Sequence, residues 1–367
     1  MKNLNTTRLH SLDILRGLDI FILVFAGPFL FQLLKILNMP ELEFLRTQLS
    51  HANWEGFYFW DLIMPLFMFM AGVSMPFSLS KYQGNRIYFR IVKRVFLLFF
   101  FGALVQGNLL KFDLHSLRLY SNTLQAIAIG YLIASVILLN FKTIKWQIII
   151  TSLLFATYYA LMCAFGDFTP DGNFAETVDK ALLGRWRDGV RWSENVWSFS
   201  KNYHYTWILS SLNFGITVML GAFAGEIMRN GTDKFRNAKI LFLTGIALVI
   251  AGQLVGLHFP IIKKIWSSSM TLYSGGLCFL AMAIFYWYID CIGRGKWLDW
   301  LKIYGMNSIF AYVVSHVISF KSIPNSLFFG LKSTLGDYYP LLINFSEYLI
   351  LFYILYLMYK NKIFLKV

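Results

Sequence analysis

The sequence predicts an all-α, polytopic integral membrane helical bundle of about ten transmembrane helices, and three observations carry that reading. Of its 367 residues, 57% are hydrophobic and only 14% are charged, where a soluble domain is nearer a quarter charged. Apolar runs of about 20 residues recur from end to end, each long enough to cross a hydrocarbon core of roughly 30 Å. Backbone groups in lipid must find partners within their own segment, so these runs are helices. Most connections are short, which implies antiparallel neighbours packed as a single domain over residues 1–367.

The runs follow in order. The first, 17–37, follows Arg16 directly and continues past signal-peptide length with no small-residue cleavage site behind it, so it is expected to be retained as a span. The second, 57–79, holds Asp61 one turn inside, with Pro65 and Pro76 further along. The third, 92–110, is entered through RIYFRIVKRVF, where Arg86, Arg90 and Arg94 form one positive stripe at i, i+4, i+8. The fourth, 121–140, opens on Asn122, Thr123 and Gln125, and the fifth is 146–165. The sixth, 207–228, carries Asn213; the seventh, 239–257, carries Gln253; the eighth is 268–290. The ninth, 299–319, contains Asn307 and Ser308, and the tenth is 341–359. Polar residues inside spans are expected mainly as helix–helix hydrogen bonds, a few of them lining a cavity.

The net charge of +14 does not point to nucleic acid, because its distribution sets topology. With the N-terminus inside, 20 of the 33 basic residues fall on the inner side, among them Lys2, Arg8, Arg16, Lys81, Lys142, Arg229, Lys296 and Lys366. Both termini are then cytoplasmic. Cys163, Cys278 and Cys291 are far apart and odd in number, which suggests neither a disulfide framework nor a metal site. The long outer connection 166–206 is expected to be an ordered cap, since disordered tracts are poor in aromatics. Its Asp167, Asp171, Glu176, Asp179, Asp188 and Glu194 lie beside Trp186, Trp192, Trp197, Tyr203, His204 and Tyr205. Flat rings beside carboxylates suit an amine-bearing sugar; an interfacial aromatic belt with solvated acids is the plainer alternative.

Chemistry centres on HANWEGFYFWDLIMP. His51 stands just ahead of the second run, on the outer side, where imidazole can serve as nucleophile or general base. Asp61 is ten residues on, about 15 Å along a continuous helix, so it can orient the ring only if the loop folds back. Otherwise His51 anchors at the headgroups and Asp61 caps the helix. An ionisable group inside a span favours function. At the other end of the first span, Asp13, Arg16 and Asp19 share a face at i, i+3, i+6. They read as a structural ion pair, or with Arg16 facing a cytoplasmic phosphate. The Arg86–Arg90–Arg94 stripe is inner-side charge first, and would also hold a nucleotide-like phosphate donor.

Five blocks taken together resemble one family. SLDILRGLDI, HANWEGFYFWDLIMPLFMFMAGVS, SNTLQAIAIGY, PIIKKIWSSSMTLYSGG and YGMNSIFAYVVSH stand in the order found in the heparan-α-glucosaminide N-acetyltransferase family and its bacterial homologues, within the transmembrane acyltransferase group. The resemblance covers roughly residues 9–320, and without a large luminal domain ahead of the first span it looks like the bacterial form. It implies an acetyl-CoA-dependent acyltransferase, an N-acetyltransferase moving acetyl from cytoplasmic acetyl-CoA to an extracytoplasmic glucosamine amine. The family's active-site histidine falls on His51; Asp61, Pro65, Asn307, Ser308, Asp13, Arg16 and Gly17 match the pattern, as do Lys264, Trp266 and Ser268. The implied roles are catalysis for His51 and Asp61, CoA phosphate binding for Arg16, Arg90 and Arg94, and substrate binding for Asn307, Ser308, Lys264, Trp266 and Ser268. No metal is implied, and a homodimer in the bacterial inner membrane fits. Two positions depart from the pattern: Ala26, where relatives often carry Asn, and Ala126, where they often carry Arg. An amino-sugar transporter or a catalytically inactive membrane sensor or scaffold is the competing reading. Transporters often repeat their broken spans in two halves, and the proline pair of the second span has no later equivalent.

Overall fold

A computed structural model describes residues 9–80, 84–107, 109–110, 112–201 and 203–365. Lys2, Arg8, Lys81 and Lys366, counted above among the inner charges, lie outside the described residues. Among the described residues, eight helical stretches are long and apolar enough to cross a membrane. They are His10–Leu37, Phe59–Leu79, Thr123–Asn140, Ile144–Phe165, Ser211–Asn230, Lys234–Gly256, Ser268–Cys291 and Phe329–Lys360. The chain is an all-α polytopic membrane protein.

Two of the ten expected spans take a different form. The third run is one helix, Asn85–Val105, whose first three turns carry Arg86, Arg90, Lys93 and Arg94, so its entry is charged rather than apolar. The ninth run is broken into Leu301–Met306 and Ser308–Val317. Asn307 sits at the break with φ −125° and ψ 37°, outside helical geometry.

The chain folds as two compact units. One comprises Met1–His51, Tyr58–Ile63 and Phe285–Val367, and the other Ala52–Phe57 and Met64–Ile284. In the first, helix His10–Phe21 continues through a π-turn at Ile22–Ala26 into Gly27–Leu37. Its backbone lies directly against Leu301–Met306. A Cβ on Gly17 would sit 1.9 Å from the Leu301 carbonyl oxygen, and one on Gly305 would sit 2.0 Å from that of Asp13. Small residues allow such close approach where lipid supplies no hydrophobic drive between helices. Ile14, Ile289 and Leu301 are buried beside this contact.

In the second unit, Asn122, Asn173 and Asp233 start helices by accepting from backbone N–H groups two or three residues on. Asn122 and Gln125, two of the polar residues at the start of the fourth run, bond locally rather than across helices. Gln125 turns back on the preceding segment, accepting from Ser121 N at 2.9 Å and donating to Leu119 O at 3.1 Å. Asn122 therefore caps its own helix, while Gln125 fixes the segment that leads into it. Tyr158, Met162, Phe259, Ile262 and Ile265 form a core cluster nearby. The connection 166–206 folds into helix Phe174–Leu183 and the hairpin Val190–Ser193/Val196–Phe199. Trp192 pairs with Trp197 across that hairpin, and His115 stacks on Trp192 at 4.9 Å.

Candidate active site

His51 Nδ1 lies 2.7 Å from Asp61 Oδ1, so the loop makes the fold-back that a ten-residue separation demands. The reason is local. Tyr58–Leu62 forms a tight turn at the mouth of the second span, and Tyr58 N donates to Asp61 Oδ2 at 3.1 Å. Phe59 N donates to Gln48 Oε1 at 3.0 Å, drawing the preceding loop down. Asp61 is fully buried while the His51 side chain is 43% exposed. The carboxylate thus caps the turn with one oxygen and takes the imidazole with the other, doing both jobs weighed for it above. A carboxylate accepts only, so Nδ1 carries the proton and the lone pair falls on Nε2. The edge of the Trp60 ring packs against Gly27 just after the π-turn, where a Cβ would come within 2.1 Å of the ring. Ala26 is the last residue of that turn, and π-turns occur often beside functional sites.

The second unit holds the residues that follow His51 in sequence. Gly56 N donates to Ile261 O at 2.9 Å and Glu55 bridges Ile262. Gly56 has φ +113°, a conformation costly for any residue with a Cβ. This ties the WEG motif to the segment PIIKKIWSSS, two blocks more than 200 residues apart in sequence. Trp54 Nε1 donates to Phe168 O at 2.8 Å and its ring meets His204 edge-on at 5.8 Å. The segment closes as a tight turn, with Ser267 N on Ile262 O and Trp266 N on Lys263 O. Trp266 takes the left-handed position at φ +51°. Asn213 Nδ2 holds the Trp266 carbonyl at 2.7 Å, and the indole donates to Thr217 Oγ1 at 3.2 Å. Ser268 is fully buried and its Oγ has no partner. Lys264 is half-buried over the Tyr205 ring at 5.9 Å, and burial holds its ammonium below the usual lysine range.

The remaining candidates divide between the two units. Arg16 lies 4.0 Å from Asp13, while Asp19 is buried. Asn307 donates to Ile363 O at 3.0 Å and accepts from Leu365 N at 2.9 Å, so its amide holds the C-terminal segment. Ser308, beside it, is buried. In the second unit Arg90 is exposed on its helix. Arg94 lies over the Tyr131 ring at 4.3 Å with its Nε buried and unpartnered. A guanidinium with a donor to spare is suited to phosphate. Ala126 is fully buried.

Three carboxylates of the connection 166–206 bond to other parts of the fold. Glu176 takes Lys180 at 3.0 Å, the fully buried Arg187 at 3.2 Å and His204 at 3.3 Å. Asp188 accepts from the Tyr203 hydroxyl. Asp179 accepts from Trp207 N at 2.8 Å and Ile208 N at 2.9 Å, pinning helix Phe174–Leu183 to the entry of Ser211–Asn230. Nothing in the sequence distinguished these three from the solvated Asp167 and Asp171. Burial pushes the Asp179 carboxyl up to about 6, outweighing its two N–H bonds and Arg187. A raised carboxyl favours the protonated folded state. That stabilisation, about 3 kcal/mol, is complete below about pH 4 and is lost as pH rises through about 6. Thermal unfolding followed from pH 4 to 7 should show this fall, and Asp179→Asn should flatten it; parallel slopes would remove Asp179 as the cause.

The catalytic-domain model of heparan-alpha-glucosaminide N-acetyltransferase matches residues 8–171, which include both His51 and Asp61. The human heparan-alpha-glucosaminide N-acetyltransferase is 24% identical over 98% of this chain and 60% of its own length. The mouse protein of the same name is 24% identical over 99% of this chain and 61% of its own length. The chain thus spans about 60% of the length of the curated relatives it matches. The resemblance read from five sequence blocks therefore extends over nearly the whole chain, and its N-terminal half is similar to the catalytic region of the heparan-alpha-glucosaminide N-acetyltransferase family.

Proposed function

We propose that this chain is a membrane-embedded N-acetyltransferase that moves acetyl from acetyl-CoA to the amine of a glucosamine-type sugar or glycan end. The observation that carries the proposal is the 2.7 Å contact between His51 Nδ1 and Asp61 Oδ1, at the mouth of a span. Asp61 orients the ring and fixes its tautomer, which puts the lone pair on Nε2 of a side chain that is 43% exposed. In the two-step route Nε2 attacks the thioester carbonyl and the C–S bond breaks as CoA thiolate leaves. The acceptor amine then attacks acetyl-imidazole, losing a proton and restoring the ring. In the one-step route Nε2 takes the proton from the amine while it attacks the thioester directly.

CoA is charged and cannot cross lipid, so its phosphates belong with the basic inner face, where Arg16, Arg90 and Arg94 supply guanidinium groups. The acceptor belongs with Lys264, Trp266 and Ser268, in the segment between the seventh and eighth spans; in the first unit Asn307, beside Ser308, holds residues 363–365. This arrangement goes with both termini cytoplasmic, a bacterial inner membrane and, by the family resemblance, a homodimer.

The test incubates purified protein in detergent with radiolabelled acetyl-CoA and glucosamine, wild type beside His51→Ala. Label should reach the sugar only with His51 present, and an isolable acetyl-protein would assign the two-step route. Sugar acetylated equally by His51→Ala, or amino-sugar binding with no CoA released by either protein, would overturn the proposal.

A further inference from the structure

The second unit carries a groove far from the histidine motif in sequence. It lies among helices Ile144–Phe165, Ser211–Asn230, Lys234–Gly256 and Ser268–Phe285, with a volume of about 840 Å³. That is large for a pocket and lies within the range that takes sizeable ligands. Its floor reaches the buried Ile216, Leu220 and Phe279, and Ile148, Phe155 and Leu248 form its walls. The ionisable groups gather at one end, where the first of these helices begins and the second finishes. There Lys142 stands with Gln147, Glu226 and Asn230.

Gln147 is the informative residue. It is only 6% exposed. Its Nε2 donates to Phe141 O at 2.8 Å, but its Oε1 accepts nothing. A buried acceptor without a donor is costly, and this one lines the groove. Glu226, also lining it, adds a carboxylate, partly offset by Arg229 at 3.7 Å and bonded by the Asn230 amide. The mouth therefore offers two acceptors that want N–H, one of them anionic, and one ammonium that wants an anion.

We infer that this groove holds a phospholipid bearing a primary ammonium, phosphatidylethanolamine, taken from the leaflet at this end of the helices. Its acyl chains fill the apolar floor, its ammonium donates to Gln147 Oε1 and Glu226, and its phosphate meets Lys142. Phosphatidylcholine has no N–H for those acceptors, and phosphatidylglycerol has no cation for Glu226. The site is independent of the acetyl-transfer reading.

The test is native mass spectrometry of the full chain, delipidated in detergent and then offered phosphatidylethanolamine, phosphatidylcholine or phosphatidylglycerol. The wild type should keep one phosphatidylethanolamine per chain, about tenfold more than either other lipid. Leu248→Trp, which fills the groove, should lose that adduct. Gln147→Leu, close in volume and without the orphaned acceptor, should keep lipid but lose the preference, as should Glu226→Gln. Equal retention of the three lipids, preference for another, or an adduct that survives Leu248→Trp would overturn the assignment. So would a dimer that Leu248→Trp dissolves, because the groove would then be an interface between copies.

Discussion

Asp61→Asn should lower turnover with acetyl-CoA by about 10²–10⁴-fold, the range contributed by a well-placed acid–base group, while the protein still folds. Asparagine matches aspartate in shape but can accept on one side only. If its oxygen faces His51 Nδ1, its NH2 meets the Tyr58 N–H that Asp61 Oδ2 now accepts, donor against donor. If it flips, the cap survives, but the NH2 faces Nδ1 and drives the ring proton onto Nε2. The lone pair then lies on the wrong edge for attack. Either arrangement spoils the ring's poise or strains the turn that places it. Steady-state rates beside thermal unfolding of the same preparation would separate the two. Wild-type turnover in Asp61→Asn would reduce Asp61 to a helix cap.

Gly17→Ala should be the most damaging single methyl in the first unit. The added carbon would lie 1.9 Å from the Leu301 carbonyl oxygen, which is backbone and cannot swing aside. Helices His10–Phe21 and Leu301–Met306 would have to separate, opening the packing around Ile14, Ile289 and Leu301. Overpacking a core typically costs 1–3 kcal/mol, more where backbone opposes backbone, so about 3 kcal/mol or more is expected. Gly330→Ala is the matched control, since nothing lies within 4 Å of its added carbon; it should change stability by less than about 0.5 kcal/mol. Thermal unfolding in detergent reads both, and equal midpoints would mean the two helices part easily.

Hydropathy made the membrane architecture legible because a span must be long and apolar whatever it packs against. It found the runs but not their form where a helix is charged at its entry, as at Arg86–Arg94, or interrupted within, as at Asn307. Both depend on partners that a window of sequence does not contain. His51 was legible as a titratable group beside a span, whereas its pairing with Asp61 turned on a fold-back that spacing alone leaves open. The link between Gly56 and Ile261 was hidden because it joins distant segments through backbone atoms. Asn213 stood out as a polar residue in a span, yet its partner is the Trp266 carbonyl, a group every residue possesses. The acids of the connection 166–206 looked alike in composition. Burial separated them, placing Glu176 and Asp179 inside and leaving Asp171 in solvent.

The grip of Asn307 on Ile363 and Leu365 uses only a carbonyl and an N–H of the chain it holds. Such a clasp reads the path of the tail and is blind to its side chains. Substitutions at 363 and 365 can therefore accumulate with little penalty, provided neither introduces a proline at 365, which would delete the donor. Shortening the tail ahead of 363 is different: it strands a buried amide at the break in the ninth run.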